Sequence, residues 1–467
     1  MRLTWSQPED LVVAELIALR EQGADLADVE SVAARWVAAG GTTEPSPSGA
    51  SAHPAPPELR GLARDLLDEL ETLQPHSDSE PDDWEAITSL LPAADPTMDG
   101  AEAGRQTHAA PSGISSGLAE RITGAWSGRA AGCLLGKPVE KIPRHGIEEI
   151  LRATNRWPLE TYFTAVGLPD DVAARWPWNR RSAPTSLEEN IDGMPEDDDL
   201  NFPILALHLL ETHGADLTTE DVARSWLANL PAGRVFTAER AAYRNLLDAR
   251  PIPETATHHN PFREWIGALI RTDAYGWAHP GDPLAAARLA WVDARLSHVR
   301  NGLYGAMWAA ALCSGSLTAS GVEEVLDLAD GVIPPRSRLA SAVGLGRDLG
   351  LSGRPTAQAL DVLHAGLGHL HWVHTLNNAA LIAYALSAGA GDFGRSIAIA
   401  VVGGWDTDSA GATVGSVIGG LLGASGLPAR WTEPLQGRIA TSMPGGPSRA
   451  IADLSARTSA LSAGSST

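Results

Sequence analysis

The sequence predicts an all-α protein, with a compact multi-helix domain and a small helical N-terminal appendage. Apolar residues recur at helical spacing along most of the chain, Ala and Leu dominate among them, and runs of β-branched residues are scarce. No segment alternates between apolar and polar residues as a half-buried strand would. The chain has 467 residues, whereas a single hydrophobic core usually stops growing at about 250 to 300 residues, so we expect more than one unit.

The N-terminal region, residues 1–75, is predicted to form three short amphipathic helices. The apolar positions with helical spacing are Leu11, Val12, Leu16 and Leu19 in the first helix and Leu26, Val29, Val32 and Trp36 in the second. A stretch rich in Pro, Ser, Gly and Ala separates them from a third helix near residues 59–73.

Residues 76–116 are predicted to be a flexible linker, because Ser, Asp, Pro, Gly and Ala predominate and only a short patch at 84–91 is apolar. The main domain is predicted to cover residues 117–458. The tail, residues 459–467, is small and polar, and we expect it to be disordered.

The overall charge, the cysteines and the N-terminal residues argue against a nucleic-acid-binding, a disulfide-rich or a secreted protein. The formal net charge of -22 argues against a partner bound through a nucleic acid backbone. Cys133 and Cys313 each lie in an apolar run of small residues, which predicts buried thiols and no disulfide framework or zinc site. The N-terminus carries acidic residues where a secretory signal has a basic stretch, so we expect a cytoplasmic protein with no membrane partner.

Four adjacent acidic residues, Glu196 to Asp199, precede an apolar run with helical spacing, so they are predicted to lie on a loop that leads into a helix. Carboxylates at the N-terminus of a helix also complement its dipole, and this cluster alone is compatible with a solvated surface.

A second acidic cluster, Asp406, Asp408 and Ser409, lies between two apolar segments. Carboxylates placed in this way are expected to be partly buried, where they need protons, cations or metal ions. Their oxygen atoms suit Mg²⁺, Mn²⁺ or Ca²⁺ better than zinc, although a side chain that only caps the following helix is an alternative.

Glycines recur at every fourth position after this cluster, at Gly411, Gly415, Gly419 and Gly423. Glycine inside a helix costs about 1 kcal/mol relative to alanine, so we expect a neighbouring helix to approach this face closely. A third segment, residues 124–136, is also rich in small residues, and Glu140 is predicted to lie on the loop after it.

These three segments, in this order, resemble the ADP-ribosylglycohydrolase family, including its members similar to the dinitrogenase reductase-activating glycohydrolase. Residues 136–140 match a Gly-x-Pro-x-Glu turn of the family, and Asp406 to Ser409 match its Asp-x-Asp-Thr motif after the paired glycines Gly403 and Gly404. The resemblance covers about residues 117–440.

Two segments depart from the family pattern. The first metal motif, Thr-Asp-Asp-Thr in the family, is best aligned with Asp197, Asp198, Asp199 and Leu200, while a shift of one residue would make Glu196, Asp197 and Asp198 the ligands. Residues 266–271 lack the asparagine and methionine of the Asn-Gly-x-x-Met-Arg segment of the family. The identity of the leaving group, and whether the substrate contains ADP, therefore stay open.

The resemblance implies a hydrolase that cleaves an N- or O-glycosidic bond to (ADP-)ribose with two Mg²⁺ ions, or Mn²⁺, as cofactors. It implies as partner an ADP-ribosylated protein or a small ribosyl conjugate. The residues implied for the metal ions are Asp197, Asp198, Asp199, Asp406, Asp408 and Ser409. The residues implied for catalysis are Glu140 and Asp198, and those for substrate binding are His298, Asn301, Gly302, Asn377 and Trp405.

Three alternatives remain open from the sequence. The cleft could belong to a non-catalytic module that binds ADP-ribose or a nucleotide. The same chemistry could act on another ribosyl conjugate or a nucleoside. The acidic loops could also be the solvated surface of an all-α structural protein whose N-terminal helices dock a partner.

Overall fold

The computed structural model describes residues 2–46, 49–92 and 116–464. Within these ranges the regular structure is helical except for one small two-stranded sheet, which confirms the all-α prediction. None of the helices in these ranges is both long and apolar enough to cross a membrane.

Four helices precede the main domain: α1 (Pro8–Gln22), α2 (Leu26–Ala38), α3 (Pro57–Glu71) and α4 (Trp84–Leu90). The helix α1 begins with a proline, which has no N–H to leave unsatisfied. Gly23 follows its last residue with a left-handed φ of 81°, and the N–H groups of Gly23 and Ala24 donate to the carbonyl groups of Arg20 and Leu19. The side chain of Asp25 then caps α2. The three helices predicted for residues 1–75 are therefore present.

The N-terminal helices pack against the main domain through buried polar contacts. The Arg263 guanidinium donates hydrogen bonds to Glu15 Oε2 and to Gln22 Oε1, both at 2.8 Å. Arg338 donates to the carbonyl oxygen of Glu21 at 2.9 Å. This region therefore lies on the main domain and does not project from it.

Part of the segment predicted as a flexible linker also packs on the main domain. Glu80 is buried and pairs with Arg300 at 2.6 Å and with Arg338 at 2.9 Å. Tyr304 donates a hydrogen bond to the carbonyl oxygen of Pro81 at 2.5 Å. Over residues 76–92 the structure thus differs from the prediction, because acidic side chains find basic partners far along the chain. Residues 93–115 lie outside the described residues.

The main domain contains nineteen helices within the described residues. They are α5 (Ser116–Gly136), α6 (Arg144–Ala153), α7 (Asp170–Arg175), α8 (Ala183–Ser186), α9 (Asp198–His213), α10 (Thr219–Asn229), α11 (Thr237–Leu247), α12 (Glu254–Thr257), α13 (Asp273–Trp277), α14 (Pro283–Ala294), α15 (Asn301–Ser316), α16 (Val322–Asp330), α17 (Arg338–Leu351), α18 (Thr356–Leu367), α19 (Thr375–Gly389), α20 (Phe393–Val402), α21 (Thr407–Leu422), α22 (Ala429–Thr432) and α23 (Ile451–Gly464).

Short 3₁₀ turns connect several helices, at Lys137–Val139, Glu188–Asn190, Gly214–Asp216, Ala232–Arg234, Ile266–Arg271, Ala424–Gly426 and Glu433–Leu435. The strands β1 (Arg438–Ala440) and β2 (Ser448–Ala450) pair antiparallel, with Arg438 opposite Ala450.

The last helix, α23, extends into the segment predicted as a disordered tail. Ser459 and Ser462 are buried, and their hydroxyl groups donate to carbonyl groups of the preceding turn. The tail is therefore helical as far as Gly464, and residues 465–467 lie outside the described residues.

The helices α5 and α21 approach each other closely in the core. A Cβ atom added at Gly128 would overlap the backbone of Gly415, and one added at Gly415 would overlap the backbone of Gly128. Gly132 and Gly411 face each other in the same way. The glycine face predicted on α21 is thus confirmed, and its partner is the glycine face of α5. This contact holds the start of α21 beside the end of α5.

Candidate active site

Three segments of the main domain converge at the ends of α5, α9 and α21. Thr407 Oγ1 donates a hydrogen bond to the carbonyl oxygen of Gly136 at 2.8 Å, and Ser409 Oγ donates to Asp199 Oδ2 at 3.2 Å. The ammonium group of Lys137 contacts the carboxylate of Asp197. The two acidic clusters, which are more than two hundred residues apart in sequence, therefore form one group.

The carboxyl groups of this cluster are removed from solvent and repel one another. Burial, reinforced by the neighbouring carboxylates, raises the pKa of Asp198, Asp199 and Asp406 well above its ordinary value. Burial and then the charge of Asp408 raise the pKa of Glu140 to about 7. The carboxyl groups are therefore partly protonated unless cations balance their negative charge.

Two buried basic side chains balance part of this charge. Although burial alone would raise the pKa of Asp197, the ammonium of Lys137 holds it below the ordinary value. Asp197 also accepts a hydrogen bond from the N–H of Asp199 and so caps α9. Arg129 pairs with Asp199 at 3.3 Å and with Asp273 at 2.8 Å.

Three carboxylates of the cluster form no salt bridge with any residue that the structure describes: Asp198, Asp406 and Asp408. Burial also raises the pKa of Asp408, with the neighbouring charge of Asp197 as the next cause. These three residues are thus the part of the cluster best placed to accept an external cation.

Glu140 lies at the edge of the cluster, on the loop after the 3₁₀ turn that ends α5. Asn179 Nδ2 donates to Glu140 Oε2 at 2.5 Å, and Lys141 Nζ lies 3.3 Å from Glu140 Oε1. Asn179 is itself anchored, since its N–H donates to the carbonyl oxygen of Pro138. The carboxylate of Glu140 therefore has a fixed orientation between the buried cluster and the surface.

An open cleft of about 460 Å³ is lined by Lys141 and Trp405, the sequence neighbours of Glu140 and Asp406. The other lining residues are Ile142, Pro143, Arg144, His145, Glu148, Asp361, His364 and Trp372. Trp405 immediately precedes Asp406, has a left-handed φ of 64° and stacks on His364 with ring centroids 4.2 Å apart. The cleft thus combines basic, acidic and aromatic side chains.

Comparisons with known proteins identify the family. A family model for ADP-ribosylglycohydrolase matches residues 114–462, which is well over half of the chain. The chain belongs to the ADP-ribosylglycohydrolase family. No curated protein matches the sequence significantly. A solved chain titled "ADP-ribosylglycohydrolase-related protein complex" is 19% identical, with a TM-score of 0.43, and the match covers 74% of this chain and 97% of that chain.

Family membership confirms the resemblance and supports a glycohydrolase-type enzyme. The sequence motifs that carried the resemblance lie at one place in the structure: Glu140 at the turn after α5, Asp198 and Asp199 at the start of α9, and Asp406 and Asp408 at the start of α21.

The residues expected to bind substrate do not all lie at the cleft. Trp405 lines it, whereas His298, Asn301 and Gly302 are buried in the core. His298 Nδ1 is 2.8 Å from Ser297 Oγ, and Asn301 Nδ2 donates to Glu264 Oε1 at 3.0 Å. These positions contact other core residues, so their substrate role stays a prediction.

Asn377 is also buried. Its Nδ2 donates to the carbonyl oxygen of His371, and its Oδ1 accepts from the N–H of Asn378. The side chain of Asn378 accepts from the N–H of Asp406 at 3.2 Å, so this pair supports the turn that carries the second acidic cluster.

Sequence reasoning missed the basic and amide side chains of the site: Arg129, Lys137 and Asn179. Lys137 could have been noticed, because it lies inside the Gly-x-Pro-x-Glu turn three residues before Glu140. Asn179 has no such signal, because it lies on a loop 39 residues after Glu140.

Proposed function

We propose that this protein is a metal-dependent hydrolase that cleaves an N- or O-glycosidic bond to (ADP-)ribose, with two Mg²⁺ ions, or Mn²⁺, held by the acidic cluster. The observation that carries the proposal is the set of three buried or half-buried carboxylates, Asp198, Asp406 and Asp408, that lack basic partners among the described residues. Uncompensated charge of this kind is unfavourable unless a cation or a proton balances it.

The donor atoms at the cluster fit a hard divalent ion. They are carboxylate oxygens and the hydroxyl of Ser409, which Mg²⁺ and Mn²⁺ prefer. Cys133 lies close to Asp197 and Asp199, but burial raises the pKa of its thiol well above the ordinary value, so it stays protonated and is a poor ligand. When bound, the divalent ions would act as Lewis acids and lower the pKa of a bound water.

The remaining roles belong to side chains of this chain. Glu140 is suited to a general base, because its pKa of about 7 lets it accept a proton from water at neutral pH, and Asn179 orients its carboxylate. Trp405 provides an aromatic face in the cleft for the flat part of a ligand. Lys141 and Arg144 also line the cleft, and a phosphorylated ligand would compete there with their carboxylate partners Glu140 and Asp361, which lie at 3.3 and 2.8 Å. This combination suits an ADP-ribosyl group attached to a protein or to a small molecule.

One observation favours a second candidate, a module that binds ADP-ribose without turnover. The ammonium of Lys137 uses the carboxylate of Asp197, which the family resemblance assigned to a metal ion. A site with one ligand fewer could bind a nucleotide in the cleft and still fail to activate water.

A metal-dependent hydrolysis screen distinguishes these functions. The full chain is incubated with Mg²⁺ or Mn²⁺ and with ADP-ribosylated peptides, nucleosides and NAD-derived ribosides, and binding of ADP-ribose is measured by calorimetry. We expect hydrolysis of an ADP-ribosyl or ribosyl conjugate that stops when the metal is chelated. Calorimetric binding with no product from any substrate would support the binding module.

The variant Asp408→Asn tests the assignment of the cluster. It removes a charge without changing volume, so we expect it to fold normally and to lose roughly 100-fold or more of the activity. Asp348→Asn is the matched control, because Asp348 is exposed on α17 and should retain wild-type activity. Full activity of Asp408→Asn with saturating substrate and metal would refute the assignment.

A further inference from the structure

Four side chains able to bind metal ions meet at the junction between the N-terminal region and the main domain, away from the candidate active site. They are Asp68 and Glu71 of α3 and the consecutive His258 and His259 that follow α12. His258 Nδ1 lies 2.8 Å from Glu71 Oε2, and His259 Nε2 lies 2.8 Å from Asp68 Oδ1. One donor atom from each residue falls within 4.8 Å of all the others.

These spacings are close to those of a metal site. Ligand atoms bound to a tetrahedral zinc ion at about 2.0 to 2.2 Å lie about 3.3 Å from one another. Two of the contacts are already shorter than this, and no separation exceeds 4.8 Å, so the widest would have to decrease by at most roughly 1.5 Å. Rotation of the exposed Asp68 and the half-buried Glu71 side chains can supply this change.

The local structure aligns both pairs of ligands. Asp68 and Glu71 are three residues apart on one helix and therefore share a face. Side chains of consecutive residues usually diverge, but His259 has a left-handed φ of 47° and its ring stacks on that of His258 with centroids 3.9 Å apart. Arg244 binds the carbonyl groups of both histidines, at 2.9 and 3.2 Å, and so fixes their backbone.

We propose that these four residues bind a divalent transition-metal ion of the zinc class, which links α3 to the main domain. Two imidazole nitrogens with two carboxylate oxygens form a donor set that zinc accepts in proteins, whereas the oxygen-only cluster at the active site suits Mg²⁺. His258 is buried and Asp68 is largely exposed, so an ion can reach the site from solvent.

One neighbouring side chain competes with the metal ion. Arg250 Nη2 lies 3.1 Å from His258 Nε2, which is the arrangement expected when the proton of the imidazole is on Nδ1. A metal ion on Nδ1 requires the proton to be on Nε2, so Arg250 has to turn away, and its exposed position beside Glu254 allows this. Removal of Arg250 should therefore strengthen metal binding.

The test is a titration of the full, chelator-stripped chain with Zn²⁺ by calorimetry, in the presence of excess Mg²⁺ to occupy the oxygen-only cluster. We expect one Zn²⁺ to bind and to raise the melting temperature. His259→Asn should weaken this binding by at least about tenfold, since asparagine tolerates the left-handed backbone but lacks the imidazole. Arg250→Ala should bind Zn²⁺ more tightly than the wild type.

Controls separate this site from other zinc-binding positions. His53→Gln removes an exposed histidine of the N-terminal region and should leave Zn²⁺ affinity unchanged. Substitution of Co²⁺ for Zn²⁺ should give visible absorption that is lost in His259→Asn. The proposal is refuted if His259→Asn and the wild type bind Zn²⁺ equally, or if Arg250→Ala binds it no more tightly than the wild type.

Discussion

Substitution of Gly415 by alanine tests whether the contact of α5 with α21 holds the core together. The new Cβ would overlap the carbonyl oxygen of Gly128 and lie 2.8 Å from its carbonyl carbon, well inside van der Waals contact. Because backbone atoms cannot rotate away, the two helices have to separate. Overpacking of this kind costs about 1 to 3 kcal/mol or more. The helix preference of alanine offsets about 1 kcal/mol, and the overlap with backbone atoms favours the upper end of the cost, so we expect a net loss of up to about 2 kcal/mol or more.

The matched control is Gly344→Ala in α17. A Cβ atom there meets no other atom within 4 Å, so alanine should stabilise the protein by up to about 1 kcal/mol. Urea unfolding of both variants measures the difference in the free energy of unfolding. If Gly415→Ala is as stable as Gly344→Ala, the close approach of α5 and α21 does not limit the residue at position 415, and the reasoning is wrong.

Two further predictions concern buried charges. Although burial would raise it, contact with Arg338 holds the pKa of Glu80 at about 2 in place of 4.5. This shift corresponds to roughly 3 kcal/mol, which screening reduces to about 2, so Glu80→Gln should lower stability by that amount at pH 7. Lys137→Met should lower the stability of the metal-free protein by about 3 to 5 kcal/mol, because the buried Asp197 loses its partner. Mg²⁺ should raise the melting temperature of this variant more than that of the wild type.

Urea unfolding at several pH values tests the Glu80 prediction, and thermal melts test the Lys137 prediction. A carboxylate with a lowered pKa stabilises the fold above the pKa of the unfolded chain, so the effect of Glu80→Gln should shrink in urea unfolding as the pH falls from 4.5 towards 2. A difference independent of pH would contradict the ion-pair explanation. For Lys137, thermal melts with and without Mg²⁺ are compared with Lys141→Met, which removes a half-exposed charge. Equal effects of the two variants would contradict the importance of burial.

Helix content and the glycine faces were predictable because their signals are local. A helix buries residues spaced three and four apart, and a glycine at every fourth position indicates a face that another helix approaches. The partner of that face also had a signal, since Gly124, Gly128, Gly132 and Gly136 repeat with the same spacing in α5. Matching two such repeats would have predicted the central helix pair.

The packing of residues 76–92 was not predictable from composition. A segment rich in Ser, Asp and Pro has too little apolar surface to fold alone, and this argument is valid for the segment in isolation. In the protein, Glu80 pairs with Arg300 and Arg338, which lie more than two hundred residues further along the chain. Only the folded main domain brings these two arginines together, so the local composition of residues 76–92 wrongly predicts a flexible linker.

In the preferred alignment with the family motif, Asp197 takes the position of a threonine, and its pairing with Lys137 is consistent with that exchange. An additional carboxylate would add one negative charge to the buried acidic cluster and so destabilise the fold. Lys137 lies at the second position of the Gly-x-Pro-x-Glu turn and places one positive charge beside that carboxylate. The charges of Lys137 and Asp197 cancel. The net charge of the whole cluster, which includes Asp198, Asp406 and Asp408, is therefore the same as it would be with an uncharged threonine at position 197 and no lysine at position 137.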